Sequence, residues 1–452
     1  MDILSLTTNY ERHRGNVPEL PIENFFVETI PSEGRAILQS RPGLEVISDI
    51  STDSVRAVYS EPNVFDGALF TVIGYTVYKD GVSIGTIDGD DPVSIDSYSD
   101  RTFFAAGGQL WKYDGSTLAA VALPDSFSPL RIVIAASRLV IIEKNTQTLF
   151  WSDVLSDTVD ALSFAEAESS PDLLLDMLLI GDTLLLFGQA TTEFWVISGT
   201  DPDIPFVPII GRVFAKGLRN TGAATRLVSS NAFAWVSETD QICMNDPSKI
   251  ISDSELEIRI GESSSVSLWT FNLDQSEYLA VRLDEETWIF SPGEQGAWVK
   301  FTTSGLTNWE PCCYANDVFG SSVSGRTLQW GTTAQDEGTE VFERLFRVYA
   351  PLATTPVVVN SLMLATDGGT TEYTSGDYAN PVIEMRASRD GGKTWSDYRS
   401  ASLGEQGRYR TFVRWLGCGI FSYPGMMFEF RMTHPVAIRI SHVYANEPFG
   451  GY

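Results

Sequence analysis

The residues of this chain best suited to chemistry sit in a few short stretches. SRDGGKTWS, residues 388–396, places Asp390 among Ser388, Gly392, Thr394 and Trp395 with the spacing S-x-D-x-G-x-T-W. Asp90-Asp91 and Glu285-Glu286 are paired carboxylates, the material of general acid–base catalysis. DGDDP (88–92) and TDGGTTEYTSGD (366–377) are rich in oxygen ligands for calcium. GRYRTFVRW (407–415) spaces Arg408, Arg410 and Arg414 for one face of an extended strand, a basic stripe for an acidic partner or for the chain's own acidic body. His13, His434 and His442 are the only histidines.

Each stretch has a plainer reading. The spacing around Asp390 is that of the Asp box, known from sialidases and other β-propeller proteins, where it lies at a blade edge away from the active site. Asp390 can accept from nearby backbone N–H groups, Gly391 and Gly392 allow positive φ, and Trp395 on an outgoing strand would pin a hairpin to a sheet. The hydroxyls of Ser388 and Thr394 can close local hydrogen bonds. The carboxylate pairs fall in turn sequences. The two acidic loops do not match the twelve-residue EF-hand pattern. A sialidase would carry an early arginine motif and successive Asp boxes, whereas one box is present, in the last quarter of the chain. The expectation is therefore a protein that is not an enzyme, with no catalytic, cofactor-binding or metal-binding residue.

The wider composition agrees with that expectation. The chain has 452 residues, 43% of them hydrophobic, enough for two or three domains with real cores. No apolar run is long enough to span a bilayer, and MDILSLTTNYERHR lacks the order of a signal peptide, so a soluble product of a cytoplasm is expected. Cys243, Cys312, Cys313 and Cys418 have neither zinc spacing nor a disulfide framework and read as free thiols. The net charge of −28 is uneven. Residues 341–452 hold 11 Lys and Arg against 10 Asp and Glu, so nearly all the acidity lies before them. Such acidity argues against gripping DNA through its phosphates.

The elements that must position these residues are mostly strands. A hairpin with an aromatic or large apolar residue on its second strand recurs at 68–81, 101–115, 138–153, 183–199, 232–246, 278–292 and 317–331. Units of that length cannot bury their own apolar face and must stack around an axis, which predicts an all-β chain built on a β-propeller of six or seven blades, with paired β-sandwiches as the competitor. SDTVDALSFAEAESSPD (156–172) is expected to hold one short helix ending before Pro171. Three regions follow: 1–55, an extended N-terminal segment that packs on the body or a neighbour; 56–344, the propeller; and 345–452, a β-sandwich-like contact module carrying the Asp-box hairpin.

Several stretches, taken in order, resemble the packaged-DNA stabilisation, or tail-nozzle, proteins of short-tailed bacteriophages. NVPELPIENFFVE (16–28) and LQSRPGLEVI (38–47) look like that family's opening. Within 151–206 the order is a Ser–Asp turn, "AE…PD", "LFG…TEFW" and then "PF". KGLRNTGAA (216–224), the Asp box and LGEQGRYRTFVRWLG (403–417) continue it, while FSYPGMMFEFRMTHPV departs from it. The resemblance implies a structural virion protein in the tail, assembled in the host cytoplasm as a homohexamer below the portal–adaptor ring. Such a hub retains packaged DNA, extends or closes the exit channel, and offers docking sites to fibres or spikes and to a needle or plug. Genomic DNA would pass through without specific binding, and no membrane insertion is implied. The alternative is a glycan-binding or glycan-cleaving propeller of a phage tail; a generic scaffold for cellular partners is the third class.

Overall fold

The computed structural model describes residues 19–30, 35–98, 100–124, 127–167, 171–198, 204–291, 296–331, 337 and 341–446. His13 and the start of the NVPELP stretch lie outside them. Strands account for almost all regular structure, and among the described residues there is one α-helix, Ser254–Glu262. Asp253 caps it by accepting from the N–H groups of Glu255 and Leu256. No described helix is long and apolar enough to cross a membrane.

The chain forms two compact units that interleave along the sequence. One comprises Val46–Asp284 and Glu310–Gln329; the other takes the described residues up to Glu45, Glu285–Trp309 and those from Trp330 onward. The expected boundaries at 55 and 344 differ from this division. Strand pairing across hundreds of residues sets the units, and such pairing leaves no local trace in sequence.

The first unit is the propeller. Its blades begin at Val55–Tyr59, Ser94–Tyr98, Pro129–Ala135, Leu174–Ile180, Ala224–Leu227, Ser267–Leu273 and Pro311–Ala315. Each of these inner strands packs on the next, and Pro311–Ala315 returns to Val55–Tyr59, so the ring closes at seven. Six of the predicted hairpins form the middle two strands of four-stranded antiparallel sheets. In the stretch 278–292, Ser276–Arg282 pairs with Ser267–Leu273 and Thr287–Ser291 with Ala297–Phe301. The seventh blade takes its outer strand from Leu44–Asp49, far back in the chain. Ser48 and Thr327 share a hydroxyl hydrogen bond of 2.7 Å there, and Gly325 and Ser51 join through backbone. This closure ties the beginning of the ring to its end, so the ring cannot open between blade seven and blade one without breaking strand pairing.

Apolar faces are buried between blades, as the unit length requires. Val140, Ile142, Leu149 and Trp151 of blade three pack with Met177, Leu184, Leu186 and Trp195 of blade four. Phe70 and Val72 of blade one pack in the same way with Phe104 and Tyr113 of blade two. The helix expected within 156–172 is instead the outer strand of blade three, Val159–Glu166. Its Ala and Glu residues favour helix locally, but pairing with Thr148–Ser152 decides the outcome.

The second unit is a β-sandwich. One sheet contains, in order, Thr287–Ser291, Ala297–Phe301, Ile22–Glu23, Arg344–Pro351, Gly425–Met432, Val382–Ser388 and Arg399–Ser402. The other runs Phe25–Ile30, Arg35–Ser40, Arg439–Ala445, Val357–Thr366 and Val413–Phe421. Edge-on aromatic contacts between the sheets, such as Phe25 with Phe346 at 5.7 Å and Phe421 with Phe428 at 5.2 Å, build its core. Within the N-terminal segment, Ile22–Glu23 and Arg35–Ser40 are paired strands of this sandwich.

Candidate functional site

The stretches singled out by sequence order come together at blade junctions. Asp172 accepts from the N–H groups of Ala190 and Thr191 at 2.7 and 2.9 Å and so fixes the turn after Gly188. Leu218 N–H donates to the Gly188 carbonyl at 2.8 Å, and Thr192 donates its hydroxyl to the Lys216 carbonyl. A Cβ on Gly217 would lie 2.3 Å from the Gln189 carbonyl carbon, so glycine alone fits. Glu193 accepts the indole N–H of Trp195 at 2.9 Å inside the core. Asn220 then bridges to blade six, donating to the Val266 carbonyl and accepting its N–H. "PD", "LFG", "TEFW" and "KGLRN" are therefore one structural joint.

Two strand carboxylates repeat this role among blades one to five. Asp176, fully buried in blade four, receives Arg131 Nε of blade three at 2.7 Å and the Gly222 N–H ahead of blade five at 2.9 Å. Asp96 of blade two receives the Ile134 N–H of blade three at 2.6 Å and the Tyr59 hydroxyl of blade one at 3.2 Å. Burial pushes the Asp96 carboxyl up to about 6, against the backbone donors that favour its charge. Sequence reasoning missed these residues, because a single acid on an apolar strand gives no hint of its partner.

In the sandwich, Asn24 and Arg41 form a buried node. Asn24 sits at positive φ and donates to the Glu343 carbonyl at 2.7 Å. Arg41 donates to Asn24, to the Thr302 carbonyl and, at 2.6 Å, to Glu337, with its guanidinium 3.8 Å from the Phe342 ring centre. Burial lowers the Arg41 pKa, and the charge of Glu337 opposes that shift.

The Asp-box residues close a loop. Asp390 Oδ1 accepts from the N–H groups of Lys393 and Thr394 and from the Ser388 hydroxyl, while Oδ2 accepts the Thr394 hydroxyl at 2.6 Å. These donors, led by Thr394, hold the Asp390 carboxyl well below the usual range. Gly392 N–H donates to Ser388 Oγ at 2.8 Å from a φ of 91°. Contrary to the expectation of an outgoing strand, Trp395 lies within the connection from Val382–Ser388 to Arg399–Ser402. There it lies against two guanidinium groups, Arg347 at 5.0 Å and Arg386 at 4.8 Å. Both arginines donate to buried Glu429, at 2.7 and 2.5 Å, and Tyr398 adds its hydroxyl at 2.6 Å. Burial opposes the ionisation of Glu429, but the three donors outweigh it and keep its carboxyl below the usual range. The three-strand ladder and the loop above it are mutually braced.

The arginine stripe is corrected by the structure. Only Arg414 lies on a strand, Val413–Phe421; Arg408 and Arg410 are in the preceding turns, so no single strand face carries all three. Gly404 and Gly407, both at positive φ, turn the chain back here. Arg408 meets Glu405 at 3.2 Å with both side chains exposed. No group of three His, Cys, Asp or Glu able to hold a metal is found among the described residues, the two acidic loops included. The four cysteines are free.

Two family models match the chain in order. One, described as bacteriophage P22 Gp10, beta-propeller, matches residues 11–311; the other, bacteriophage P22 Gp10, beta-sandwich, matches residues 345–447. No curated protein matches. Similar solved structures include virginiamycin B lyase from Staphylococcus aureus, 10% identical, with 63% of this chain and 98% of that one covered at a TM-score of 0.43. YCF48 from Cyanidioschyzon merolae is 11% identical, with 64% and 98% covered at a TM-score of 0.41.

Proposed function

Because the chain belongs to the bacteriophage P22 Gp10 family of packaged-DNA stabilisation proteins, we propose that it is a tail hub, six copies of which form a ring below the portal–adaptor complex and retain the genome. The chain is a structural phage protein, a component of the virion. The single observation that carries the fuller reading is the match of both modules, propeller then sandwich, over most of the sequence. The ring extends or closes the exit channel and offers sites to fibres or spikes and to a needle or plug.

Two physical features support this. The blades are joined by buried polar links and the ring is closed by Leu44–Asp49, which suits a part that must hold against pressure. In each copy 59 Asp and Glu outnumber 31 Lys and Arg, a balance that disfavours gripping DNA through its phosphates and suits its free passage. Mass photometry of the portal–adaptor complex with and without the purified chain tests the reading. Addition of six copies per complex supports it. A monomer that ignores the complex and binds a bacterial surface glycan overturns it.

A further inference from the structure

The strand Val413–Phe421 is the last of its sheet, and it exposes large apolar side chains beside cations. Phe412 is 79% exposed, Leu416 56% and Ile420 59%, with Arg408 and Arg410 exposed in the adjoining turns. From 386 to 423 the sequence holds seven Lys and Arg against three Asp and Glu, in a chain whose balance is strongly acidic. An uncovered apolar sheet edge is a liability that proteins normally blunt or use.

Its complement lies on the propeller. The outer strand of blade three, Val159–Glu166, also ends its sheet, and it exposes Leu162 at 84% and Phe164 at 44%. Asp160 and Glu166 are exposed on the same strand. Between residues 151 and 214 the sequence holds eleven acids and one base, Arg212. We infer that the edge at 408–420 of one copy docks on the outer edge of blade three of a second copy, apolar side chains meeting at the centre and arginines meeting carboxylates at the rim. This rests on the ring reading, because two different patches on each copy are what a head-to-tail ring requires. Apolar burial supplies affinity, while the charges supply orientation and rate and weaken at high salt.

The test uses the full-length chain in two charge-reversed forms, one carrying Arg408→Glu and Arg410→Glu, the other Asp160→Lys and Glu166→Lys. Each is titrated onto the portal–adaptor complex and read by mass photometry. Each form alone should need about tenfold more protein to complete the ring, the sum of a few exposed charge contacts. An equal mixture of the two should recover normal assembly, since every contact is then again between opposite charges; recovery also shows that both forms fold. If both forms assemble normally, or if the mixture fails to recover, the assigned contact is wrong while the ring stands. If the unaltered chain adds no copies, the ring reading itself falls and takes this contact with it.

Discussion

Arg41 donates from Nε to Asn24 Oδ1 at 2.8 Å, and the two residues lie 17 positions apart at the start of the described chain. Around that bond are the Thr302 carbonyl and Glu337, so one guanidinium joins three distant parts of the sandwich unit. Asn24 of PIENFF and Arg41 of SRPGL, both in the opening segment, owe their residue types to this buried node.

Replacing Arg41 by Met leaves Glu337 and the Asn24 carbonyl oxygen without their cation in a buried setting. The expected loss is about 3–5 kcal/mol, the usual cost of breaking a buried pair. Arg41→Lys keeps a charge but not the fork, and should lose an intermediate amount. Denaturant midpoints for the sandwich transition check both.

Asp176→Ala removes the partner of Arg131 and of the Met177 and Gly222 N–H groups. A loss of about 3 kcal/mol is expected in the propeller, with Asp176→Asn losing less. Hydrogen exchange should rise first at Gly222 and along blades three to five. Unchanged exchange there would show that the link bears little of the ring's stability.

Asp96 gives the propeller a pH dependence of definite sign. Its carboxyl is raised by burial from 3.8 to about 6, so its contribution to stability is fully present below the unfolded value and is lost as pH rises through about 6. Asp96→Asn should flatten this part of the stability profile. A carboxyl titration followed by NMR should show a midpoint near 6; a midpoint in the ordinary carboxylate range would contradict the assignment.

Asp390 behaves oppositely. Its carboxyl is held well below the usual range by Thr394 and its other donors, so the loop keeps its contribution through mild acid and loses it only as pH falls through that depressed value. Asp390→Ala should increase proteolysis within 389–398 and expose Trp395, seen as a red-shifted emission, without altering exchange in the propeller.

Much of this fold is legible locally. Turn residues followed by an aromatic strand, as in GGQLWKYDG and GQATTEFWV, mark hairpins wherever they occur, and their spacing calls for stacking. What is illegible is pairing at long range. Nothing near Leu44–Asp49 announces the seventh blade, and nothing in PIENFF announces a strand beside Arg344–Pro351. Val159–Glu166 reads as helix because its own residues permit both states and only Thr148–Ser152 chooses between them. The helix Ser254–Glu262 is missed by that reading, although Asp253 stands before SELEIRIGE with Glu255 and Glu257 in its first turn. The arginines at 408–414 keep the right spacing for a strand, but Gly404 and Gly407 break the extended backbone before Arg408.

The claim that this chain retains packaged DNA is tested most directly by measuring nuclease-protected genome in phage heads assembled without it and then supplied with the purified protein. Heads lacking it should lose DNA until the chain is added and hold it afterwards. Heads that keep their full genome in its absence would show that the chain does not retain the DNA.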